Sequence, residues 1–152
     1  MTYYRANKPK YSTSILLLLL IQIQVTAKPV NYGSVTISEV TSIYDGDTFR
    51  ANISEWHGLI GKDVSIRVNG IDTPELRGKC KQEKLLASKA KQHAVAMLRE
   101  GNIITLNNMK RGKYFRIVAD INIDGKSLAK SLIKANLAVP YEGSTKTKDW
   151  CG

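Results

Sequence analysis

Four acids and two arginines stand in this chain at spacings that suit phosphodiester chemistry. Asp45 and Asp47 flank a single glycine, Asp72 and Glu75 bracket Thr73-Pro74, and Arg67 and Arg116 sit in or beside β-branched and aromatic runs. Carboxylates and carbonyls without histidine or thiolate form a donor set for a hard cation, calcium or magnesium. Arginine grips phosphate in a bidentate manner that lysine does not match. Together the residues point to metal-assisted hydrolysis of a phosphodiester. The ion would polarise a phosphoryl oxygen, one carboxylate would orient or deprotonate the attacking water, and the guanidinium groups would neutralise charge developing on phosphorus. Each piece also has a plain reading. Asp45-Gly46-Asp47 is a common turn, Arg116 is also what an exposed strand residue looks like, and Lys110-Arg111-Gly112-Lys113 is also what a solvated basic loop looks like. Tyr114 beside that loop offers a ring on which a base or sugar can stack.

The elements that must position these groups are legible in outline. Ser65 to Glu75 reads as a strand in which alternation would set Arg67 and Asp72 on opposite faces. Gly70 is a place for a bulge that re-aims the residues after it, bringing Arg67, Asp72 and Glu75 to one rim. Pro74 stops the strand. Val35 to Tyr44 and Thr48 to Ile53 alternate at a strand period around Asp45-Gly46-Asp47, a hairpin pattern. Ser54 to Lys62, with Trp56 and His57, reads as a loop. Lys81 to Glu100 shifts to a helical period through Leu85, Leu86, Ala90, Ala94, Met97 and Leu98, stopped by Gly101. Asn102 to Leu106 and Phe115 to Ile123 are further strands. Ser127 caps a short helix with Leu128, Leu132 and Ile133, ended by Asn136. Neither His57 nor His93 is given a catalytic part. The expected fold is therefore mainly β within the α+β class: a five-stranded Greek-key OB-fold barrel, one helix between strands 3 and 4, and a short helix after strand 5.

The chain has 152 residues. Arg5, Lys8 and Lys10 precede an apolar run from Ile15 to Ile21, extended through Ile23 and Val25, with small residues at Val25-Thr26-Ala27. Residues 1–27 are expected to be a cleaved signal peptide, with an uncleaved anchor as the alternative, because the run is about half the roughly 20 residues that span a bilayer. A lead-in at 28–34, a single domain at 35–141 and a polar tail at 142–152 come next, about the size that folds around one core. All 13 acids lie after residue 27, where 20 lysines and arginines remain, so the mature charge is +7. Such a charge suits a polyanionic partner, although a merely soluble basic protein carries it as well. An exported chain, periplasmic or secreted, is expected to pair Cys80 with Cys151. That bond would close a loop of about 70 residues and be worth about 4 kcal/mol on the chain-entropy estimate.

Tyr44-Asp45-Gly46-Asp47-Thr48, then Arg67, then Ile71-Asp72-Thr73-Pro74-Glu75, then Lys113-Tyr114-Phe115-Arg116, in this order, closely resembles the staphylococcal nuclease (thermonuclease) family. Ala129 to Tyr141 is similar to the family's second helix and the turn after it, so the resemblance spans roughly Val35 to Tyr141. It implies an OB-fold endonuclease, a monomer free of the membrane once its leader is cut. Such an enzyme requires calcium, cleaves DNA and RNA, and leaves 3′-phosphate and 5′-hydroxyl ends. By position it implies Asp47, Asp72 and the Thr73 carbonyl as metal ligands, with Asp45 in the outer shell. Glu75 matches the proposed general base, Arg67 and Arg116 the phosphate clamps, and Lys113, Tyr114 and Tyr141 the substrate contacts. Phe115 departs from the family's usual glycine, which bears on the aim of Arg116. The chain also lacks the type member's third helix, a role the cysteine pair is placed to fill. The alternative function is a non-catalytic OB-fold module that binds nucleic acid, but the chain has kept every acid and arginine of the set.

Overall fold

The computed structural model describes residues 30–152, so the expected signal peptide at 1–27 lies outside the described residues. The chain is a mostly-sheet α+β domain in which one curled sheet carries the site on its strand ends. Its strands are β1 (Val35–Thr36), β2 (Glu39–Ile43), β3 (Thr48–Asn52), β4 (Val64–Val68), β5 (Ile71–Asp72), β6 (Ile104–Arg111), β7 (Ile117–Ile123), β8 (Lys126–Ser127) and β9 (Val139–Pro140). The helices are α1 (Gly58–Gly61), α2 (Lys81–Glu100) and α3 (Leu128–Lys134). The main sheet runs β1-β6-β7-β4-β3-β2, with β8 on β7, while β5 and β9 form a separate pair. Every pairing is antiparallel except β4 with β7, which is parallel.

The expected first strand divides into β1 and β2, which lie at opposite ends of the strand order although only Ile37 and Ser38 separate them. Ile37 N–H donates to Ile104 O on one edge and Ser38 N–H to Asn52 O on the other, so the sheet must roll until its edges meet there. The alternating residues Phe49, Ala51, Ile66, Val68, Leu106, Ala119 and Ile121 are buried inside the curl. Burying such side chains is the main force holding the sheet, about 1.5 to 3 kcal/mol for each large one.

Three segments differ from expectation for local reasons. The long central strand stops at Val68, because Asn69 and Gly70 turn the chain, with Gly70 at φ 76, before β5 resumes. The expected loop at 54–62 contains α1, capped by His57 Nδ1, which accepts from Leu59 N–H at 3.2 Å. The fourth strand extends to Arg111, and a 3-10 turn at Lys113–Phe115 replaces the start of the fifth.

Helix α2 has the expected bounds and most of the expected face, with Leu85 the exception. Ala87, Ala90, Ala94 and Leu98 are buried, whereas Leu85 is exposed. The alanine seam lets the helix approach the β2–β3 turn, where a Cβ on Gly46 would lie 2.8 Å from Ala90 Cβ and 3.0 Å from Thr73 Cγ2. A helix face of leucines would hold that turn further out. His93 Nε2 meets Ser131 Oγ at 2.8 Å and ties α2 to α3. Ser127 caps α3 by accepting from Lys130 N–H at 3.3 Å, and Asn136 ends the segment at φ 57, both as expected. Among the described residues no helix is long and apolar enough to cross a membrane.

Candidate active site

The β2–β3 hairpin delivers Asp45 and Asp47, and the turn out of β4 delivers Asp72, Thr73 and Glu75. Asp45, Asp47, Asp72 and Thr73 are all buried. Arg67 joins the two segments: Nη1 donates to Asp47 Oδ1 at 2.7 Å, and Nη2 donates to the Ile71 carbonyl at 3.2 Å and Asp72 Oδ1 at 3.4 Å. Asp47 also accepts from the Thr48 hydroxyl at 2.9 Å and from Thr73 N–H at 3.3 Å. Asp47 N–H in turn donates to Asp45 Oδ1 at 3.1 Å. Strand β5, which holds Asp72, is fixed by pairing Asp72 with Val139 and Ile71 with Pro140. The turn at Gly70 is what lets Arg67 and Asp72 meet despite strand alternation.

The electrostatics of this cluster favour a further cation. Burial, reinforced by the charge of Asp47, pushes the Asp45 carboxyl up to about 7. Burial also raises Asp47 above the usual carboxylate range, even though Arg67 pulls it down. Arg67 at Asp47 and Asp72, with an ammonium at Asp72 only, therefore leaves the buried charge of Asp45 and Asp47 under-neutralised. An all-oxygen set of Asp47, Asp72 and the Thr73 carbonyl, with Asp45 behind it, fits a hard divalent ion.

Arg67 also lines an open groove of about 720 Å³, together with Glu75, Lys110, Lys113, Arg116, Tyr141 and Lys146 among others, while Asp45, Asp47, Asp72 and Thr73 lie outside its lining. The groove brings the two arginines, the candidate base and two of the three expected substrate contacts onto one surface. Arg116 is half-buried, and its buried Nε has no hydrogen-bond partner among the described residues. A donor held dry and unpaired at a groove wall is ready for an anionic oxygen, since leaving it unmatched costs about 1 to 3 kcal/mol. Tyr141 O–H donates to the Ser144 carbonyl, which shapes the groove rim.

The expected pair Lys113 and Tyr114 is divided between two surfaces. Tyr114 is 96% exposed and lines a second groove, of about 830 Å³, with Tyr32, Trp56, Leu59 and Phe115; Arg111 borders both grooves. The division arises from the backbone, because Tyr114 and Phe115 are both left-handed, at φ 55 and φ 62. Phe115 thus occupies, at some strain, a conformation that suits glycine. The Arg111 guanidinium lies 3.6 Å over its ring and offsets part of that cost.

Lys146 is a site residue that the sequence reading missed. Its Nζ meets Asp72 Oδ1 at 2.9 Å and Glu75 Oε1 at 2.5 Å. Burial works against the ammonium, but hydrogen bonds to Glu75 and Asp72 more than offset it and hold the group well above the usual lysine range. The tail that carries it is anchored by the Cys80–Cys151 disulfide, as expected, with the two Cα atoms 5.9 Å apart. Glu83 lies beside that bond and organises the loop leading from Glu75. It accepts from Lys79 N–H at 2.7 Å and from Glu75 N–H at 3.4 Å. Cys80, Glu83 and Cys151 bring metal-ligand atom types together. With the two sulfurs bonded to each other, no thiolate is available, and the trio is a structural brace.

Comparison with known proteins identifies relatives of the chain. The family described as staphylococcal nuclease homologue matches residues 65–150. A probable endonuclease of Schizosaccharomyces pombe is 32% identical over 130 residues, which cover 69% of this chain and 55% of the yeast protein. The chain therefore spans about half the length of that curated relative.

Proposed function

The chain belongs to the family of staphylococcal nuclease homologues, and from that premise we propose that it is a calcium-dependent nuclease hydrolysing DNA and RNA to 3′-phosphate and 5′-hydroxyl ends. The observation that carries the proposal is Arg67. It grips two of the buried acids, Asp47 and Asp72, and lines the same groove as Arg116 and Glu75.

The chain's own groups have distinct parts in the reaction. Asp47, Asp72 and the Thr73 carbonyl would hold the calcium ion, with Asp45 behind them. When bound, that ion supplies Lewis-acid polarisation of a phosphoryl oxygen. Arg67 and Arg116 bind the remaining phosphate oxygens, and their hydrogen bonds strengthen as charge accumulates there. Glu75, half-exposed on the groove, accepts a proton from the attacking water at its carboxylate. Lys113 and Tyr141 orient the strand along the groove, and Tyr114 meets it from the second groove. The OB-fold reading supports this, since the curled sheet offers one continuous face to a nucleic acid strand. The proposal includes export and a monomeric state. The disulfide supports export, being of a kind that persists in oxidising compartments.

Digestion of single-stranded DNA and of RNA by the chain from Lys28, in millimolar calcium and in chelator, tests the proposal. Calcium-dependent cleavage leaving 3′-phosphates is expected. Binding without cleavage would leave a nucleic-acid-binding module, and cleavage that survives chelation would remove the metal from the mechanism.

A further inference from the structure

The Lys146 ammonium bridges Asp72, a buried acid in contact with Arg67, and Glu75, the half-exposed acid on the groove. Glu75 is the more exposed partner: half of its side chain is exposed, and the bond to Lys146 is the ion pair that the described residues give it. Lys146 is not held by a helix or strand of its own. It lies in a tail whose two ends are fixed, by Tyr141 N–H donating to the Gly70 carbonyl at 3.0 Å and by the disulfide at Cys151. The other end of that disulfide, Cys80, caps α2 by accepting from Glu83 N–H at 3.3 Å. Glu83 in turn accepts from Glu75 N–H. The cystine therefore braces both the backbone of Glu75 and the cation on its carboxylate.

We propose that Lys146 is a positioning residue of the nuclease site: a cation strapped in place by the Cys80–Cys151 bond, holding Glu75 toward Asp72. This rests on the reading of Glu75 as the base. It carries an electrostatic consequence that simple scaffolding does not. A positive charge 2.9 Å from Asp72 Oδ1 opposes the binding of a divalent ion by that carboxylate. The site thereby gives up some metal affinity for a fixed base.

Removing Lys146 should then move two quantities in opposite senses. In Lys146→Met, calcium measured by titration calorimetry without substrate should bind about 5- to 10-fold more tightly, as expected for losing one nearby cation in partly screened surroundings. Turnover should fall about 10- to 100-fold through kcat with little change in KM, as expected when a general base loses its orientation. Lys146→Arg keeps the charge and should restore both in part. Cys151→Ser should shift both as Lys146→Met does, by less. Lys148→Met, in the same tail but turned toward Trp150, should change neither.

Unchanged calcium affinity, or weaker binding, in Lys146→Met overturns the proposal, as does unchanged kcat. Thermal melting of each variant separates misfolding from the effect, and a misfolded Lys146→Met leaves Lys146→Arg and Cys151→Ser to decide. If the wild-type chain cleaves nothing, the nuclease reading fails, while the calorimetric shift still decides whether Lys146 opposes the ion. If the wild-type chain binds no calcium and no manganese, the inference falls.

Discussion

Replacing Arg67 with methionine separates what this side chain does for the fold from what it does for the reaction. The guanidinium is largely buried and touches Asp47 at 2.7 Å, Asp72 at 3.4 Å and the Ile71 carbonyl at 3.2 Å. Methionine fills much of the same volume without charge, leaving buried Asp47 with no cation and Asp72 with Lys146 alone. Removing one partner of a buried pair costs about 3 to 5 kcal/mol. For a domain of this size that corresponds to a melting temperature lower by about 10 to 20 °C. The loss should grow with pH. Asp47 is already raised by burial and held down by Arg67, so it rises further in the variant. A carboxyl with a folded value above its unfolded one stabilises below the unfolded value and loses that contribution as pH climbs toward the folded one. The metal-free variant should therefore melt closer to wild type at pH 5 than at pH 8. Calcium, entering between the same acids, should recover most of the pH 8 deficit. Activity should not recover, because the arginine's hydrogen bonds to the transition state are gone, a loss of at least about 100-fold. Calorimetric melting at both pH values, with and without calcium, alongside digestion of single-stranded DNA, measures all of this. A variant melting within about 2 °C of wild type at pH 8 without metal would remove the ion-pair argument. Activity within about threefold of wild type would remove the clamp.

The same geometry sets three other outcomes. Glu75→Gln should lower kcat by about 100-fold or more while the melting temperature holds, because the side chain is half-exposed; near-normal turnover would remove the base assignment. With Asp45 pushed up to about 7 from an ordinary 3.8, metal-free stability should fall by up to about 3 kcal/mol between pH 5 and pH 8; a flat urea midpoint across that range, or one rising with pH, would contradict the burial of charge described above. Gly46→Ala forces a methyl against Ala90 and Thr73 and should cost about 1 to 3 kcal/mol and weaken calcium binding, so unchanged affinity by calorimetry would show that the turn does not depend on the alanine seam.

Much of this arrangement was legible because it is local. The hairpin around Asp45-Gly46-Asp47, the helix over twenty residues free of proline and glycine, and the Ser127 and Asn136 caps each rest on neighbours a few residues apart. The meeting of Arg67 with Asp72 was also readable, because Gly70 interrupts an alternation that would otherwise part them. What escaped depended on distant partners. The apolar period placed Ala90, Ala94 and Leu98 correctly but included Leu85, which is exposed, and passed over Ala87, which is buried on the seam facing Gly46. Lys113 and Tyr114 are adjacent in sequence, yet two successive left-handed residues send them to different grooves, and Phe115 gave only a faint warning of that by standing where glycine is usual. Nothing in Ser144-Thr145-Lys146-Thr147 distinguishes Lys146 from any tail lysine. Its position is set by the disulfide and by the β5–β9 pair, and neither shows in a local period.

The pairing of β5 with β9 also bears on when the site can exist during synthesis. Asp72 sits on a two-residue strand that has only Val139–Pro140 as a partner, and β4 leans on β7 through a parallel contact that spans about fifty residues. A nascent chain still on the ribosome would hold Asp47 and Arg67 yet lack the segment that fixes Asp72, so no intact ion-binding cage could form until Val139–Pro140 had emerged. A chain truncated after Asn136 should accordingly bind calcium far more weakly in calorimetry than Lys146→Met, which lacks the same ammonium but keeps β9, and equal affinity of the two would show that the cage forms earlier. The ion site would then be among the last features of the domain to form, well after the hairpin that supplies Asp45 and Asp47.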